Sequence, residues 1–221
     1  MQSKPCEIPG MPFIVFEGLD GSGKSSLMNS LESYLLEKKL SVHRTREPGG
    51  TPLGDEVREL ILRKQGDAPS PRAELLLYEA IRAQHVDHVI KPYLQKDYWV
   101  LCDRYKASSV AFQAGGRQIP VEWVEKLNSF ATQDLNAQLT ILLDLSVEES
   151  RRRRQQRSSQ VGVAEDRIES EADSFHERVR QSFLAQAKED PHHWLILDAS
   201  KSTQSLFEEL LTALRGARWI T

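Results

Sequence analysis

Two kinds of segment alternate along the chain when hydrophobic and polar positions are compared. Five short runs are rich in apolar residues, and several of them are apolar at consecutive positions rather than at every second one. A strand that is buried on both faces of a parallel sheet needs that pattern. We therefore predict five strands, at Phe13–Glu17, Ser41–Thr45, Trp99–Asp103, Leu139–Leu145 and Trp194–Asp198.

The longer stretches between these runs have the periodicity of amphipathic helices. Leu27, Leu31 and Leu35, for example, recur every four residues and so share one side of a helix. The pattern predicts helices at Ser25–Lys39, Pro71–Gln95, Val121–Ala131, Glu165–Lys188 and Ser202–Arg215. Alternating strands and helices indicate an α/β fold with a doubly wound parallel sheet. Ligands of such sheets bind at the carboxyl ends of the strands, where we look for the chemistry.

Length and charge restrict the protein class. The 221 residues fit one domain, 1–221, and the net charge of −3 argues against a partner bound through bulk positive charge, such as nucleic acid or an acidic membrane. The chain has no apolar run of about 20 residues, and Met1–Gly10 lacks the apolar core of a signal peptide. Cys6 and Cys102 have neither metal-site nor disulfide spacing. We therefore expect a cytoplasmic protein.

The most specific motif is G-x-x-x-x-G-K-[ST], which residues 18–25 match in full between a predicted strand and a predicted helix. In such a loop the backbone N–H groups and the helix N-terminus surround phosphate oxygens. Lys24 adds a mobile positive charge, and the Ser25 hydroxyl is a ligand for Mg²⁺. The motif predicts a nucleoside-triphosphate site formed by Gly18, Leu19, Asp20, Gly21, Ser22, Gly23, Lys24, Ser25 and Ser26.

Other features favour a kinase of a small acceptor among the proteins with this loop. The N-K-x-D sequence that reads guanine is missing, and one domain is too small for an ATP-driven motor. A kinase needs a second anion pocket and cations that neutralise charge during transfer. Asp103 and Arg104 follow the third strand, where Asp103 is a candidate Mg²⁺ ligand and Arg104 a candidate phosphate ligand. Arg46, followed by a Pro-Gly-Gly turn, can contact phosphate in bidentate fashion.

A basic segment predicts a third set of cations. Residues 151–157 contain five arginines, and they are followed by a small polar loop, Ser158–Ala164, and by a second predicted helix. A helix, a loop and a helix together are typical of a hinged lid, here roughly residues 150–170, which would exclude water when it closes. A nucleic-acid patch is a weaker interpretation because no aromatic residues interleave the arginines.

The motifs in combination resemble the thymidylate kinase family. The matching segments are Gly18–Ser25, Thr45–Gly50, Asp103–Tyr105, Gln113–Arg117 and Asp166–Glu169, and the resemblance extends from about Phe13 to about Arg215. It implies a P-loop fold of the nucleoside-monophosphate-kinase type, a five-stranded parallel sheet flanked by helices, with a small helical lid. It also implies transfer of the γ-phosphoryl group of ATP to dTMP with Mg²⁺, and a homodimer.

The resemblance also implies roles for individual residues. Arg46 and Arg104 correspond to the arginines that hold the acceptor phosphate, and Asp20 to the acidic residue beside the 3′-hydroxyl. Tyr78 corresponds to the aromatic residue that stacks on thymine, and Arg82, one turn later, to the arginine that donates to its carbonyl. The full set expected to bind the acceptor is Asp20, Arg46, Pro48, Tyr78, Arg82, Arg104, Ser108, Ser109, Phe112 and Gln113.

The sequence departs from the family pattern at three places. In the lid, Ser158–Ala164 is an insertion before Asp166, which leaves open which arginine of residues 151–157 meets the phosphates. The stacking position is more usually Phe, so Tyr78 brings an extra hydroxyl. The loop has no arginine, since positions 21 and 22 are Gly and Ser, and family members of that type take the catalytic cation from the lid. The residues expected to be catalytic are Lys24, Arg104, Arg154, Arg157 and Arg167.

Two other functions remain open at this point. A deoxynucleoside kinase would act on an uncharged 5′-hydroxyl and would need a carboxylate base, for which Glu17 is the candidate. A nucleotide-dependent switch would close its lid for a partner and hydrolyse ATP slowly. Comparison of dTMP with thymidine as acceptor separates the two kinases.

Overall fold

A computed structural model describes residues 12–162 and 165–220. Five strands form one parallel sheet, and they are β1 (Phe13–Glu17), β2 (Val42–Arg46), β3 (Trp99–Asp103), β4 (Leu139–Asp144) and β5 (Trp194–Asp198). Their order in the sheet is β2-β3-β1-β4-β5. The five predicted strands are confirmed, with ends that differ by at most one residue.

Helices lie between the strands along the chain. They are α1 (Lys24–Glu37), α2 (Pro52–Leu62), α3 (Pro71–His85), α4 (Lys91–Leu94), α5 (Lys106–Ser109), α6 (Val121–Thr132), α7 (Val147–Val161), α8 (Asp173–Glu189) and α9 (Thr203–Gly216). Two π-helical segments, Val86–Ile90 and Val110–Gly116, continue α3 into α4 and extend α5. The prediction of one long helix over Pro71–Gln95 is thereby confirmed.

The lid region differs from the prediction. Residues 165–172 are not helical, because the Asp166 carboxylate accepts hydrogen bonds from the backbone N–H groups of Ile168 and Glu169 and closes a turn instead. Helix α7 continues to Val161 and ends at Gly162, whose φ is +71°, so the predicted loop is helical over residues 158–161. Ala164, Cys6 and Met1–Gly10 lie outside the described residues.

The core covers both faces of the sheet. Alternate residues of β1 point to opposite faces, and the whole strand is buried. Ile14 and Phe16 pack with residues of α1 and α9, whereas Phe13 and Val15 pack with the π-helical segment after α3. The doubly wound sheet is confirmed. Within the described ranges we find no helix that is long and apolar enough to cross a membrane.

Candidate active site

A cavity of about 660 Å³ opens at the carboxyl ends of β1, β2 and β3. Its walls come from the loop after β1, the turn after β2, the start of α5, and helices α2, α3 and α7. The predicted residues that line it are Asp20, Gly21, Gly23, Lys24, Ser25, Ser26, Arg46, Pro48, Tyr78, Arg82, Asp103, Arg104, Ser108, Ser109, Phe112, Gln113 and Arg157. The structure thus brings both predicted anion pockets into one space.

Five other predicted residues lie outside that lining, as far as the chain is described: Gly18, Leu19, Ser22, Arg154 and Arg167. Gly18 and Leu19 nevertheless contact the site, because their carbonyl oxygens accept hydrogen bonds from Lys24 Nζ at 3.1 and 3.2 Å. Burial lowers the pKa of Lys24, which is nonetheless surrounded by the carboxylates of Asp103, Asp20 and Glu17. The loop therefore holds its lysine with its own backbone.

The loop after β1 also carries the base of the lid. Ser150 Oγ, on α7, donates to the carbonyl oxygen of Asp20 at 2.7 Å, and Arg153 Nη1 donates to that of Gly21 at 3.4 Å. Gly21 has a φ of +82°, and a Cβ there would lie 3.2 Å from Arg153 Cβ. Helix α7 is thus in direct contact with this loop, residues 18–25, which we call the phosphate loop.

Arg104 joins the end of β3 to the phosphate loop. Its backbone has a φ of +71°, a conformation that non-glycine residues rarely adopt, and its N–H donates to Phe16 O at 2.9 Å. Its Nη2 donates to Asp20 Oδ1 at 2.7 Å. Burial disfavours the charged form of both side chains, but the attraction between the opposite charges is stronger than this effect. The positive charges of Arg104 and Lys24 hold the pKa of Asp20 well below its usual value, and the negative charge of Asp20 raises the pKa of Arg104.

Arg58 on α2 was not predicted as a site residue, yet it lines the cavity with Arg46 and Arg104. Its Nη1 donates to Pro48 O at 2.7 Å, and burial together with the positive charge of Arg46 lowers its pKa. The three guanidinium groups, from the end of β2, from α2 and from the residue after β3, are of the chemical type that can bind a dianionic phosphate. The overlooked signal was Thr51-Pro52, since Thr51 caps α2 by accepting from Gly54 N–H and Pro52 occupies its first turn.

Tyr78 and Arg82 lie one turn apart on α3 and both line the cavity. Burial, and the carboxylates of Glu74 and Asp166, raise the pKa of the Tyr78 hydroxyl, which stays neutral. Arg82 is 2% exposed and is held by protein groups around it. Its donors reach Glu47, Glu79, Ser109, Asn128 and the carbonyl of Tyr105.

Glu17, at the end of β1, is fully buried and does not belong to the lining of the described cavity. Its carboxylate accepts from Tyr105 N–H at 2.9 Å, Ser108 N–H at 3.2 Å and Ser108 Oγ at 2.6 Å. Burial raises its pKa to about 7, although Arg104 and these donors oppose the rise. The carboxylate is engaged at the start of α5, which leaves little support for a role as base toward an acceptor hydroxyl.

The lid arginines divide into two groups. Arg153 and Arg157, four residues apart on α7, line the cavity, and Arg157 Nη2 donates to Glu169 Oε1. Arg154 is 3% exposed, and its Nη1 donates to Glu169 O at 3.0 Å and lies 3.2 Å from His176 Nε2. Arg167 donates to Ile61 O at 2.9 Å and to Glu74 Oε2 at 2.6 Å. Arg154 and Arg167 are thus engaged within the lid and its anchors.

The predicted Mg²⁺ ligands lie in the same cavity. Ser25 and Asp103 both line it, and Asp103 is close enough to Lys24 for its charge to raise the lysine pKa. Across the described ranges, no three His, Cys, Asp or Glu side chains come together to hold a metal. One carboxylate and one hydroxyl nevertheless fit Mg²⁺ bound to a nucleotide, since this ion takes few protein ligands and completes its shell with phosphates and water.

Comparisons with known proteins agree with this geometry. The family model described as thymidylate kinase matches residues 16–210. The chain is 64% identical to a thymidylate kinase of Bdellovibrio bacteriovorus over 204 residues, which are 92% of this chain and 95% of the relative. It is 42% identical to a thymidylate kinase of Geotalea daltonii, over 92% and 96% of the two chains, and 45% identical to one of Leifsonia xyli, over 97% and 99%.

Proposed function

This chain belongs to the thymidylate kinase family, and from that membership we propose how its cavity works. The protein transfers the γ-phosphoryl group of ATP to dTMP and produces dTDP and ADP. The observation that supports the mechanism best is that a triphosphate loop and three further arginines share one cavity. Transfer between two anions needs alignment and charge neutralisation more than covalent chemistry.

The donor end is the loop after β1. The backbone N–H groups of residues 20–25 and the Lys24 ammonium hold the donor phosphates, since no side chain caps this end of α1. Ser25 and Asp103 would hold Mg²⁺, which would neutralise negative charge on the donor phosphates when bound. Gly18 and Leu19 keep Lys24 in place through their carbonyl oxygens.

The acceptor end begins at the three arginines. Arg46, Arg58 and Arg104 bind the dTMP phosphate, and Asp20, which is paired with Arg104, faces the 3′-hydroxyl. The base lies against Tyr78, with Arg82, Ser109 and Gln113 at its edge and Phe112 beside the sugar. No general base is needed, because the attacking phosphate oxygen is already an anion.

The lid, roughly residues 150–170 of a single domain, supplies movable cations. Arg153 and Arg157 face the transferring group, and closure of the lid excludes water that would otherwise hydrolyse ATP. Arg154 serves inside the lid, where it holds the Glu169 carbonyl. We assign it a positioning role in place of the catalytic role expected from the sequence.

A surface of neighbouring helices supports a homodimer. Helices α2, α3 and α6 pack side by side, and each leaves large apolar side chains exposed: Leu53 and Leu60 on α2, Leu76 on α3, and Trp123 and Phe130 on α6. The side chain of Phe130 is 82% exposed, and a second copy of the chain packed on this surface would bury it. We place the protein in the cytoplasm, where the buried Cys102 thiol stays reduced.

The test is a coupled assay of ADP release with ATP and Mg²⁺, in which dTMP, dUMP, dCMP, AMP and thymidine are offered separately. We expect turnover on dTMP well above that on the other acceptors. Turnover on thymidine in preference to dTMP would mean that the three arginines are misassigned. Slow hydrolysis that no acceptor stimulates would indicate a switch.

A further inference from the structure

Glu74 on α3 joins three parts of the molecule that meet beside the cavity. Its side chain is 1% exposed, and its two carboxylate oxygens accept four hydrogen bonds. Oε1 accepts from Gln113 Nε2 at 3.0 Å and Arg117 Nε at 3.1 Å, and Oε2 accepts from Arg117 Nη2 at 3.1 Å and Arg167 Nη2 at 2.6 Å. Burial alone would raise its pKa, but these donors lower it and keep the carboxylate charged.

Arg167 fixes the lid at the other end of this contact. In addition to the bond from Nη2 to Glu74, Arg167 makes two hydrogen bonds to α2. Its Nε donates to Ile61 O at 2.9 Å, and its backbone N–H donates to Leu62 O at 3.1 Å. Those carbonyls belong to the last turn of α2, where helical carbonyls have no partner within the helix. The hydrogen bonds of Arg167 therefore dock the lid segment on both α2 and α3.

The docked segment leads directly to the cavity. Asp166, Ile168 and Glu169, on either side of Arg167, line it. Glu169 in turn accepts hydrogen bonds from Arg157 through its carboxylate and from Arg154 through its carbonyl. The position of the phosphate-facing Arg157 thus depends on a turn that Arg167 anchors.

Glu74 also contacts the acceptor side. It lies one helical turn before Tyr78, and its partner Gln113 lines the cavity. One buried carboxylate therefore touches a residue of the base pocket and a residue of the lid.

We propose that Glu74 is a positioning residue that holds the lid closed over the acceptor site, acting through Arg167 and linked to the base pocket through Gln113. Arg167 then serves this dock and does not contact the phosphates. The inference rests on the proposed function of the cavity, because closure matters only if phosphoryl transfer occurs there.

The first test compares Glu74→Gln with the wild-type enzyme in the presence of ATP, Mg²⁺ and dTMP, with ADP and dTDP measured separately. Gln keeps the shape but loses the charge that binds two arginines. We expect kcat to fall by at least about tenfold, since a misplaced cation lowers the rate of transfer. KM for dTMP should rise by a smaller factor than kcat falls. We also expect ADP to exceed dTDP in the variant, because water reaches the open site.

The matched control is Glu171→Gln, which makes the same chemical change in the other carboxylate that pairs with Arg117. Glu171 has no contact with Arg167 among those found in the described structure. This control should keep kcat within about twofold and the ADP to dTDP ratio at one. Equal kcat and equal ratios in the two variants, with an active wild type, would overturn the proposal for Glu74 and leave the proposed function standing.

A second measurement reports on the lid itself. Trypsin cleaves after arginine, so the rate of cleavage within residues 151–167 measures opening when dTMP and a non-hydrolysable ATP analogue are bound. We expect Glu74→Gln to be cleaved there at least about fivefold faster than the wild type, with cleavage elsewhere unchanged. A slow kcat with a wild-type cleavage pattern would contradict the dock. If Glu74→Gln fails to fold, Arg167→Gln carries the same expectations and the same outcomes that overturn them.

Discussion

Arg82 Nε donates to Glu47 Oε2 at 2.8 Å, so the helix residue expected to face the base is joined to the turn that presents Arg46. The other carboxylate oxygen of Glu47, Oε1, lies 2.9 Å from His85 Nδ1. The backbone N–H of Glu47 donates to Asp103 O at 2.9 Å. Through its carboxylate and its backbone N–H together, the buried Glu47 connects α3 with the ends of β2 and β3. The contact between Arg82 and Glu47 joins the side chain proposed to face the base to the turn that carries the arginine proposed to bind the acceptor phosphate.

Removal of Arg104 should have the largest effect on turnover among the acceptor arginines. We expect Arg104→Ala to lower kcat/KM by at least about 100-fold, which corresponds to a loss of about 3 kcal/mol of phosphate binding. Steady-state kinetics with dTMP measures it. Arg44→Ala, which removes an arginine of β2 paired with Glu32, is the control and should change kcat/KM by less than about twofold. A loss below threefold in Arg104→Ala would remove this residue from the site.

Arg58 should contribute to binding of the acceptor phosphate and not of the nucleoside. We expect Arg58→Ala to raise KM for dTMP by at least about tenfold, as expected for a lost charged hydrogen bond. The inhibition constant of thymidine, which lacks the phosphate, should stay unchanged. Arg63→Ala, just after α2 and exposed, is the matched control. Equal weakening of dTMP and thymidine would show that Arg58 supports the fold of the pocket and does not bind phosphate.

Tyr78 should act through its ring. We expect Tyr78→Ala to raise KM for dTMP by about tenfold or more with a smaller change in kcat, because loss of one aromatic stacking contact on a base costs about 1–3 kcal/mol. Tyr78→Phe keeps the ring and should stay within about threefold of the wild type. An unchanged KM in the alanine variant would place Tyr78 in the structural core instead.

Glu17 should make stability depend on pH. Its pKa is about 7 in the folded protein against an ordinary value of 4.5, so the folded state favours the protonated form. The stability that this group contributes is complete below pH 4.5 and is lost as the pH rises through 7. The side chain in Glu17→Gln stays neutral at every pH. The free energy of unfolding of this variant, relative to that of the wild type, should therefore rise by up to about 3 kcal/mol between pH 5 and pH 8.

Urea unfolding of both proteins at the two pH values measures this difference for Glu17. Glu208→Gln, on the exposed side of α9, is the control and should show a difference near zero at both pH values. The contradicting result is a difference in unfolding free energy between the wild type and Glu17→Gln that is the same at both pH values. That result would mean that the Glu17 carboxylate stays ionised throughout.

The exposed face of α6 should control association. We expect the wild-type chain to sediment at twice its monomer mass and Phe130→Asp to sediment as a monomer, because a buried charge without a partner destabilises an interface. Leu36→Asp, at a position 54% exposed on α1, is the control and should leave the dimer intact. A wild-type monomer, or a dimer that survives Phe130→Asp and Trp123→Asp, would exclude this face.

The sequence predicts the sheet well because its inner strands are buried on both faces and carry uninterrupted apolar runs. β1, which is entirely buried, is the clearest case. The phosphate loop is equally predictable, since Gly18 and Gly23 both have positive φ angles, a local requirement that the motif itself contains. The hydrophobic pattern does not predict helix α2, because this helix lies at the surface with half-exposed Leu53 and Leu60.

The lid arginines show what periodicity alone leaves undetermined. Successive residues of a helix differ by about 100° in direction, so a shift of one position decides whether an arginine faces the cavity or the lid interior. Arg153 and Arg157, four apart, share the cavity side, whereas Arg154 is turned toward His176 and Glu169. The spacing of four was visible in the sequence, but the side on which it lies depends on how α7 packs on the phosphate loop.

That packing has a consequence for how such an enzyme can change. At Gly21 an added Cβ would lie 3.2 Å from both Arg153 Cβ and Ser150 O, and the φ of +82° would strain any residue with a side chain. A cation carried by the loop at this position and a lid helix seated on the loop compete for one volume. A substitution that places a positive charge at Gly21 therefore requires the start of α7 to shift as well, by a few tenths of an ångström.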